Sequence, residues 1–190
     1  MVILRKKRIL ALSILLLLCL SVGLLFSSQK KEDTVSTVSL PVSNKTIILD
    51  AGHGVPDEGA QSSNGTTEAQ TNLKIVLKLQ NLLEQSGAEV LLTRSDENAI
   101  YDLDSDTLKQ KKISDIHNRV KIGNENSADI FVSIHLNKIP QEQYWGWQCF
   151  YQEGKEQSIQ LAKSIQTNLN EAIQKENKRV AMKLDNVYIM

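Results

Sequence analysis

The chain has 190 residues, enough for one domain with a hydrophobic core once an N-terminal segment is set aside. Its formal net charge is zero, but four of its cations stand together at Arg5–Arg8. The remaining 18 Lys and Arg residues face 22 Asp and Glu residues, a net charge of −4. A nucleic-acid partner is therefore not expected, because such binding needs a basic surplus. Cys19 and Cys149 lie far apart in the sequence and predict no disulfide framework.

The N-terminal segment is typical of export. Residues 9–26 form an uncharged apolar run of 18 residues directly after Arg5–Arg8. Residues 1–26 are therefore a membrane anchor or a signal peptide, and the cations place everything after Phe26 outside the cytoplasm. Residues 27–45, rich in Ser, Thr, Lys and Val, predict a flexible tether. We expect the folded part at the extracytoplasmic face of the membrane, either anchored there or secreted.

From residue 46 onward, predicted strands alternate with predicted helices. Short apolar stretches predict strands at Thr46–Asp50, Ala88–Thr93, Asp129–Leu136 and Gly146–Tyr151. Helical periodicity predicts helices at Thr66–Ser86, Ser114–Asn126 and Gly154–Lys175, and Val187–Met190 starts a further apolar run. This alternation predicts an α/β fold with a mostly parallel sheet and helices on both faces.

The helical periodicity also predicts which side chains face the core. In the first helix these are Leu73, Val76, Leu79, Leu82 and Leu83, and in the second they are Ile116, Val120 and Gly123. Glu68 lies at the start of the first helix, on the same face as Asn72, Ile75, Leu79 and Leu82. Its carboxylate is therefore expected to point toward the core and to need a cation there, because an unpaired buried charge is costly.

Two histidines end predicted strands. His53 lies between Gly52 and Gly54, where the first strand breaks into a tight turn, and His135 closes the third strand. In a parallel α/β sheet both positions fall at the carboxyl edge, where ligands bind. With Glu68 they form a His₂Glu set, which Zn²⁺ accepts in catalytic sites with one position left open for water. Zn²⁺ there lowers the pKa of that water toward about 7 and supports hydrolysis.

Two further residues are candidates near this site. Asn137 points to the same face as His135 and could orient a ligand or the substrate. Arg94, at the end of the second strand, is either a substrate contact or a partner for Asp96.

Other interpretations of these residues stay open. The Gly-His-Gly turn can be purely structural, Glu68 can be a capping-box acid on Thr66 or Thr67, and His135 can be a core histidine. Asp57 and Glu58 are spare acids near His53 and thus candidate general bases. His117 is interpreted as a surface or packing residue, and Trp145 and Trp147 as packing residues or a sugar platform.

A family resemblance adds to this pattern. Residues 47–54, Ile-Ile-Leu-Asp-Ala-Gly-His-Gly, followed by Pro56-Asp57 and Gly59-Ala60, resemble the opening of the zinc-dependent N-acetylmuramoyl-L-alanine amidases, bacterial wall hydrolases often called amidase family 3. Further pieces follow in the family's order: Thr67-Glu68 with Asn72-Leu73, Leu92-Thr93-Arg94, Arg119 with Asn124, Ala128-Asp129, and residues 133–137. The resemblance covers about residues 46–190.

The resemblance implies both a site and a reaction. It implies that His53, Glu68 and His135 are the zinc ligands. The implied substrate is peptidoglycan, and the bond cut is the amide between muramic acid's lactyl group and L-alanine. Residues 144–151 resemble the spore-cortex branch of the family, whose amidase step precedes formation of muramic-δ-lactam.

One feature of the family has no counterpart in this sequence. The family carries a catalytic glutamate in a Val-Glu-x-Gly-Phe-like segment after the long helix, and here that position would lie beyond Met190. No general base is therefore assigned, and the sequence predicts an amidase-like domain, incomplete at its C-terminus, with impaired activity. The alternatives are a non-catalytic, zinc-containing module that binds the wall or regulates, and a metal-free structural partner of another envelope protein. A partner protein that completes the site is also possible.

Overall fold

The computed structural model describes residues 42–136, 138–139, 145–184 and 187–189. Its elements in chain order are β1 (Thr46–Ala51), α1 (Glu68–Gln85), β2 (Glu89–Leu92), α2 (Leu108–Glu125), β3 (Ile130–Ile134), β4 (Phe150–Tyr151), α3 (Glu156–Ile173) and β5 (Met182–Lys183). Residues 1–41, and with them the proposed anchor, lie outside the described part, as does Asn137. Within the described part, no helix combines the length and apolar character needed to cross a membrane.

The central sheet has three parallel strands in the order β2-β1-β3. Leu49 of β1 is in register with Leu92 of β2 and with Val132 of β3. Helix α1 connects β1 to β2, and α2 connects β2 to β3. The carboxyl ends of all three strands therefore meet at one edge, as the sequence predicts for a parallel α/β sheet.

One face of the sheet packs against α1. Alternate residues of β1 join apolar residues of α1 and the β2 region in a buried cluster made of Ile47, Leu49, Ala51, Leu73, Val76, Ala88 and Val90. The predicted core-facing stripe of α1 is right for Leu73 and Val76 but wrong for Leu82, which is 61% exposed. Ile75, predicted on the same face as Glu68, is also exposed. Leu82 lies six residues after Val76, which places its side chain about 120° around the helix axis from that buried residue.

The opposite face of the sheet packs against α2. Asp50 of β1 contacts Arg119 of α2 at 2.6 Å, and a Cβ on Gly123 would lie 3.2 Å from the Phe131 ring. The prediction that Ile116 faces inward is wrong, since it is 38% exposed, whereas Asp115 and Arg119 are buried. These charged side chains can be buried because Arg119 pairs with both Asp50 and Asp115. With α1 on one face and α2 on the other, the predicted fold class is confirmed.

Helix α2 also begins earlier than the sequence predicts, at Leu108 rather than Ser114. Thr107 caps it through a capping box with Gln110, a signal that the apolar pattern alone did not reveal. The four residues before β1 are ordered against the core. Asn44 donates its backbone N–H to the Gly87 carbonyl oxygen at 3.3 Å, and Val42 packs against the hydrophobic cluster.

The C-terminal part forms a separate two-stranded parallel sheet, in which Phe150 of β4 pairs with Met182 of β5. The predicted strand Gly146–Tyr151 is reduced to two residues, and Cys149 just before them donates its N–H to the Gln166 side chain of α3 at 2.9 Å. Strand β5 is not predicted from the sequence, and Val187–Ile189 forms no strand. Trp147 donates its indole N–H to Asn170 at 2.7 Å, which makes it a packing residue of this substructure.

Candidate metal centre

Three side chains from three different segments converge at the carboxyl edge of the central sheet. His53, Glu68 and His135 each offer one ligand atom, and these atoms lie within 4.8 Å of one another. Glu68 Oε1 is 3.3 Å from His53 Nε2 and 3.1 Å from His135 Nδ1. A carboxylate oxygen between two imidazole nitrogens is a donor set that fits Zn²⁺ in a catalytic site.

Glu68 owes its position to the start of α1. Thr67 is the N-cap, and it forms a capping box with Gln70, so the capping-box interpretation of Glu68 is wrong. Glu68 is instead 4% exposed, and its carboxylate accepts backbone N–H groups from Ala60 at 3.0 Å and Leu136 at 2.8 Å.

These contacts keep Glu68 ionised. Burial alone would raise the pKa of its carboxyl group, but the two backbone hydrogen bonds and the nearby histidines His53 and His135 lower it by more. An ionised, almost fully enclosed carboxylate facing two imidazoles is the situation in which a cation is stabilising.

His53 lies in a turn with an unusual backbone. Its φ of 64° is in the left-handed region, which a non-glycine residue rarely adopts. Gly54 and Asp57 exchange two backbone hydrogen bonds that close the turn, at 3.0 and 2.7 Å. The strained conformation aims the ring so that Nε2 faces Glu68 while Nδ1 faces Asp57 Oδ2 at 3.2 Å.

Asp57 is therefore engaged rather than spare. Its Oδ2 also contacts Lys112 Nζ at 3.1 Å. Burial raises the pKa of this carboxyl group, but the hydrogen bonds from Lys112 and His53, with their charges, lower it below its ordinary value. The sequence singled out Asp57 as a candidate base, and its contact with a ring nitrogen of His53 was not predictable from spacing.

Two buried arginines hold the backbone beneath the His53 turn. Arg94 donates to the carbonyl oxygens of Ala51, Gly52 and Ala69 at 2.8, 3.1 and 2.8 Å. Its contact with Asp96 is to the backbone oxygen, at 2.7 Å, and not to the carboxylate. The structure thus places Arg94 below the turn, where it supports the backbone.

Arg119, which sequence reasoning did not assign to the site, supports the same turn from α2. It donates to the carbonyl oxygens of Ala51 and His53, each at 2.7 Å. Its charge is balanced by Asp50 at 2.6 Å and Asp115 at 2.8 Å. Burial lowers its pKa, but these two carboxylates raise it by more, so the net shift is upward. The i,i+4 spacing of Asp115 and Arg119 is the sequence feature that could have predicted this ion pair.

Asp50 connects all three strands of the sheet. Its carboxylate accepts hydrogen bonds from Thr93 Oγ1 after β2, at 2.7 Å, from Ser133 Oγ of β3, and from Arg119. Asp50 is fully buried, and this network fixes the carboxyl edge of the sheet directly beneath the turn that carries His53.

Two glycines make room for the histidines and the glutamate. A Cβ on Gly52 would overlap the His135 ring. A Cβ on Gly59, whose φ is +70°, would lie 2.7 Å from both Glu68 Oε2 and His53 Cδ2. The glycine-rich character of the turn is therefore a steric requirement of the cluster.

The other candidate residues lie elsewhere or serve packing. His117 is exposed, and its ring contacts Tyr188 with centroids 4.8 Å apart. Trp145 is exposed and contacts Trp147 edge to face. Asn72 donates to the Gly52 carbonyl oxygen at 3.1 Å, while its buried Oδ1 accepts no hydrogen bond from any residue in the described part of the chain.

A parallel α/β sheet with a His–Glu–His cluster at its carboxyl edge is the framework of a metal-dependent hydrolase. The chain matches the N-acetylmuramoyl-L-alanine amidase family over residues 47–190, and it belongs to that family. The resemblance inferred from residues 47–54 is thereby confirmed, and with it the enzyme class, an amidase of the bacterial cell wall.

Two individual relatives indicate which members of the family this chain resembles. The chain is 30% identical, over 185 residues, to the germination-specific N-acetylmuramoyl-L-alanine amidase of Bacillus subtilis, covering 97% of this chain and 77% of that protein. A solved structure of the CwlD amidase from Clostridioides difficile, in complex with the GerS lipoprotein, is 43% identical with a TM-score of 0.74, covering 77% of this chain and 75% of that one.

A second solved amidase structure, from Clostridium difficile 630, is more distant. It is 26% identical with a TM-score of 0.63 and covers 76% of this chain and 72% of that one. The two solved structures share the amidase fold with this chain and differ in sequence identity to it, 43% against 26%.

Proposed function

We propose that this chain binds Zn²⁺ through His53, Glu68 and His135 and hydrolyses the amide between N-acetylmuramic acid and L-alanine in peptidoglycan. The observation that carries the proposal is the position of Glu68 Oε1, 3.3 Å from His53 Nε2 and 3.1 Å from His135 Nδ1. Family membership over residues 47–190 supports the reaction.

The residues of the chain prepare the site for the ion. The backbone N–H groups of Ala60 and Leu136 hold the Glu68 carboxylate, and Arg94 and Arg119 fix the backbone that carries His53. Zn²⁺ bound there supplies Lewis acidity for amide hydrolysis near neutral pH. Preorganised ligands matter because they need not be rearranged when the ion binds.

Hydrolysis also needs a group that accepts a proton from the attacking water. Asp57, a candidate base four residues after His53, is already bonded to His53 and Lys112, so we assign it no role as general base. A positioned general base contributes typically about 10²–10⁴-fold to the rate. We therefore expect this chain to hydrolyse wall amides slowly where no other group supplies this proton transfer.

Metal analysis of the purified chain and three variants tests the site. One Zn²⁺ per chain is expected for the wild type, and the ion is expected to be lost in His53→Ala, Glu68→Gln and His135→Ala. His117→Ala is the control, since it removes the third histidine, which lies outside the cluster. Unchanged zinc content in any of the three cluster variants would contradict the proposal.

Muropeptide digestion followed by mass spectrometry tests the reaction. Release of the stem peptide from muramic acid, lost on chelation and restored by added Zn²⁺, supports an amidase. Binding of muropeptide without any cleavage would favour a non-catalytic, zinc-containing module that binds the wall or regulates another enzyme.

We further propose that the reaction serves spore-cortex maturation, where it precedes muramic-δ-lactam formation. The similarity to the germination-specific amidase of Bacillus subtilis supports this setting. A strain lacking the chain is expected to make cortex without muramic lactam, as measured by muropeptide chromatography. Normal lactam content in that strain would contradict the setting while leaving the amidase reaction intact.

We also propose an extracytoplasmic location with two partners besides peptidoglycan. Residues 1–26 attach the chain to the membrane or direct its export, and an envelope protein binds the folded part. The structure of the CwlD amidase in complex with the GerS lipoprotein supports a protein partner of this kind. Analytical ultracentrifugation of this chain with that GerS protein is expected to show a complex. Two independently sedimenting species would contradict the proposed binding of a partner of this kind.

A further inference from the structure

The two ring nitrogens of His53 have different partners. Nε2 faces Glu68 Oε1 at 3.3 Å, inside the cluster, and Nδ1 faces Asp57 Oδ2 at 3.2 Å, outside it. A neutral imidazole carries one proton, so the nitrogen that donates a hydrogen bond leaves the other free to bind a metal. Among the described residues, the contact of Nδ1 with Asp57 has hydrogen-bond geometry and that of Nε2 with Glu68 does not, so Asp57 favours the tautomer that leaves Nε2 free for the metal.

Asp57 is itself held on two sides. Asp57 follows His53 by four residues, and its backbone exchanges two hydrogen bonds with Gly54. These bonds hold Asp57 beside the His53 turn. Its Oδ2 contacts Lys112 Nζ of α2 at 3.1 Å, although the Lys112 side chain is about half exposed. Lys112, Asp57 and His53 thus form a chain of contacts from the surface of α2 to the metal cluster.

His135 has no equivalent arrangement. Its Nδ1 faces Glu68 at 3.1 Å, and no described residue accepts a hydrogen bond from its Nε2. The side chain of His135 is also about twice as exposed as that of His53, 45% against 23%. Of the two histidines in the cluster, His53 is therefore the one that is held by a carboxylate from outside the cluster.

We propose that Asp57 is a positioning residue that presets His53 Nε2 for the metal, and that Lys112 holds the Asp57 carboxylate against the ring. The inference rests on the proposed function in taking His53 to be a ligand and the ion to be Zn²⁺. Removing the carboxylate leaves the ligand in place but frees its tautomer and its rotation. Outer partners of metal-bound histidines typically contribute about 10–100-fold to metal affinity.

The tautomer of His53 in the metal-free chain is the first readout, measured by two-bond ¹H–¹⁵N NMR correlations above the pH at which the ring is protonated. The wild type is expected to carry its proton on Nδ1 alone, and Asp57→Ala is expected to give mixed tautomers. Asp57→Asn is expected to keep the Nδ1–H form, since its amide oxygen can still accept. A single Nδ1–H tautomer in Asp57→Ala would overturn the proposal.

Zinc affinity, measured by competition with a chromophoric chelator, is the second readout. We expect Asp57→Ala to bind Zn²⁺ about 10–100-fold more weakly, Asp57→Glu to recover part of that loss, and Lys112→Met to show a smaller loss. Lys109→Met is the matched control, because Lys109 is an exposed lysine on the same helix, and its affinity is expected to equal that of the wild type. Equal affinities in the wild type and Asp57→Ala would overturn the proposal.

The two proposals fail in distinguishable ways. If His53→Ala keeps its zinc, the metal site itself is wrong. If His53→Ala loses zinc while Asp57→Ala keeps both wild-type affinity and wild-type tautomer, only the role of Asp57 is wrong. An affinity loss in Lys109→Met equal to that in Lys112→Met would refute the specific role of Lys112.

Discussion

Arg94 and Arg119 donate to the same carbonyl oxygen, that of Ala51, at 2.8 and 2.7 Å. Two buried guanidinium groups so close together repel each other, and Arg119 contributes to lowering the pKa of Arg94, after the larger effect of burial. They coexist because Asp50 and Asp115 balance the charge of Arg119. The backbone leading into His53 is therefore fixed from both sides by charge-assisted hydrogen bonds.

Arg119→Met is expected to lower the free energy of unfolding by about 3–5 kcal/mol, because it leaves Asp50 and Asp115 as buried carboxylates without their partner. Urea unfolding measures the change. Lys121→Met on the same helix is the control, since its exposed pair with Glu125 spans 3.9 Å and is expected to contribute less than about 1 kcal/mol. Equal losses in the two variants would contradict the importance assigned to Arg119.

Gly59→Ala is expected to reduce the zinc content of the purified chain, because its Cβ would meet both Glu68 and His53 at 2.7 Å. Gly65→Ala is the matched control. It has a similar positive φ, +86° against +70°, but its Cβ would meet nothing within 4 Å. Both variants carry backbone strain, so only a steric effect on the cluster separates them. Equal zinc content in the two would refute that effect.

Thr67→Ala and Thr107→Ala each remove an N-cap that belongs to a capping box. Each is expected to cost about 0.5–2 kcal/mol of stability, measured by urea unfolding. Only Thr67→Ala is expected also to weaken zinc binding, because the residue after Thr67 is Glu68. A comparable affinity loss in Thr107→Ala would show that the effect is general destabilisation.

Asp129 binds the start of β1 through its carboxylate, and the contribution of these contacts to the free energy of unfolding is expected to depend on pH. The pKa of Asp129 lies below its ordinary value of 3.8 because it accepts hydrogen bonds from Lys45 Nζ and the Thr46 backbone N–H. Its contribution to stability is therefore fully present above pH 3.8 and is lost as the pH falls through the lower, folded-state pKa. The difference in unfolding free energy between wild type and Asp129→Asn should shrink below pH 3.8. A difference that stays constant with pH would contradict this.

The sequence predicts the sheet well because its strands are short apolar runs with clear ends, such as Thr46–Asp50. It also places His53, Glu68 and His135 at one edge, and the structure brings these side chains together. Their role as zinc ligands stays a prediction. Hydrophobic periodicity fails at α2, where the inward residues Asp115 and Arg119 are charged.

The contact between Asp57 and His53 has a different reason for being missed. It depends on the left-handed φ of His53 and on a turn closed by two backbone hydrogen bonds, and neither follows from residue spacing. Strand β5 is missed because two residues, Met182 and Lys183, are too few to show a periodicity. What the sequence conveys is the location of the site, while local backbone geometry decides how each ligand is held.

The parallel pairing of β3 with β1 has a consequence for folding. The position of His135 depends on β3 docking beside β1, a strand far away in the sequence. Until that long-range contact forms, only two of the three side chains are available, and such contacts form slowly. Under the proposed zinc site, uptake of the ion would report that the chain has completed its central sheet.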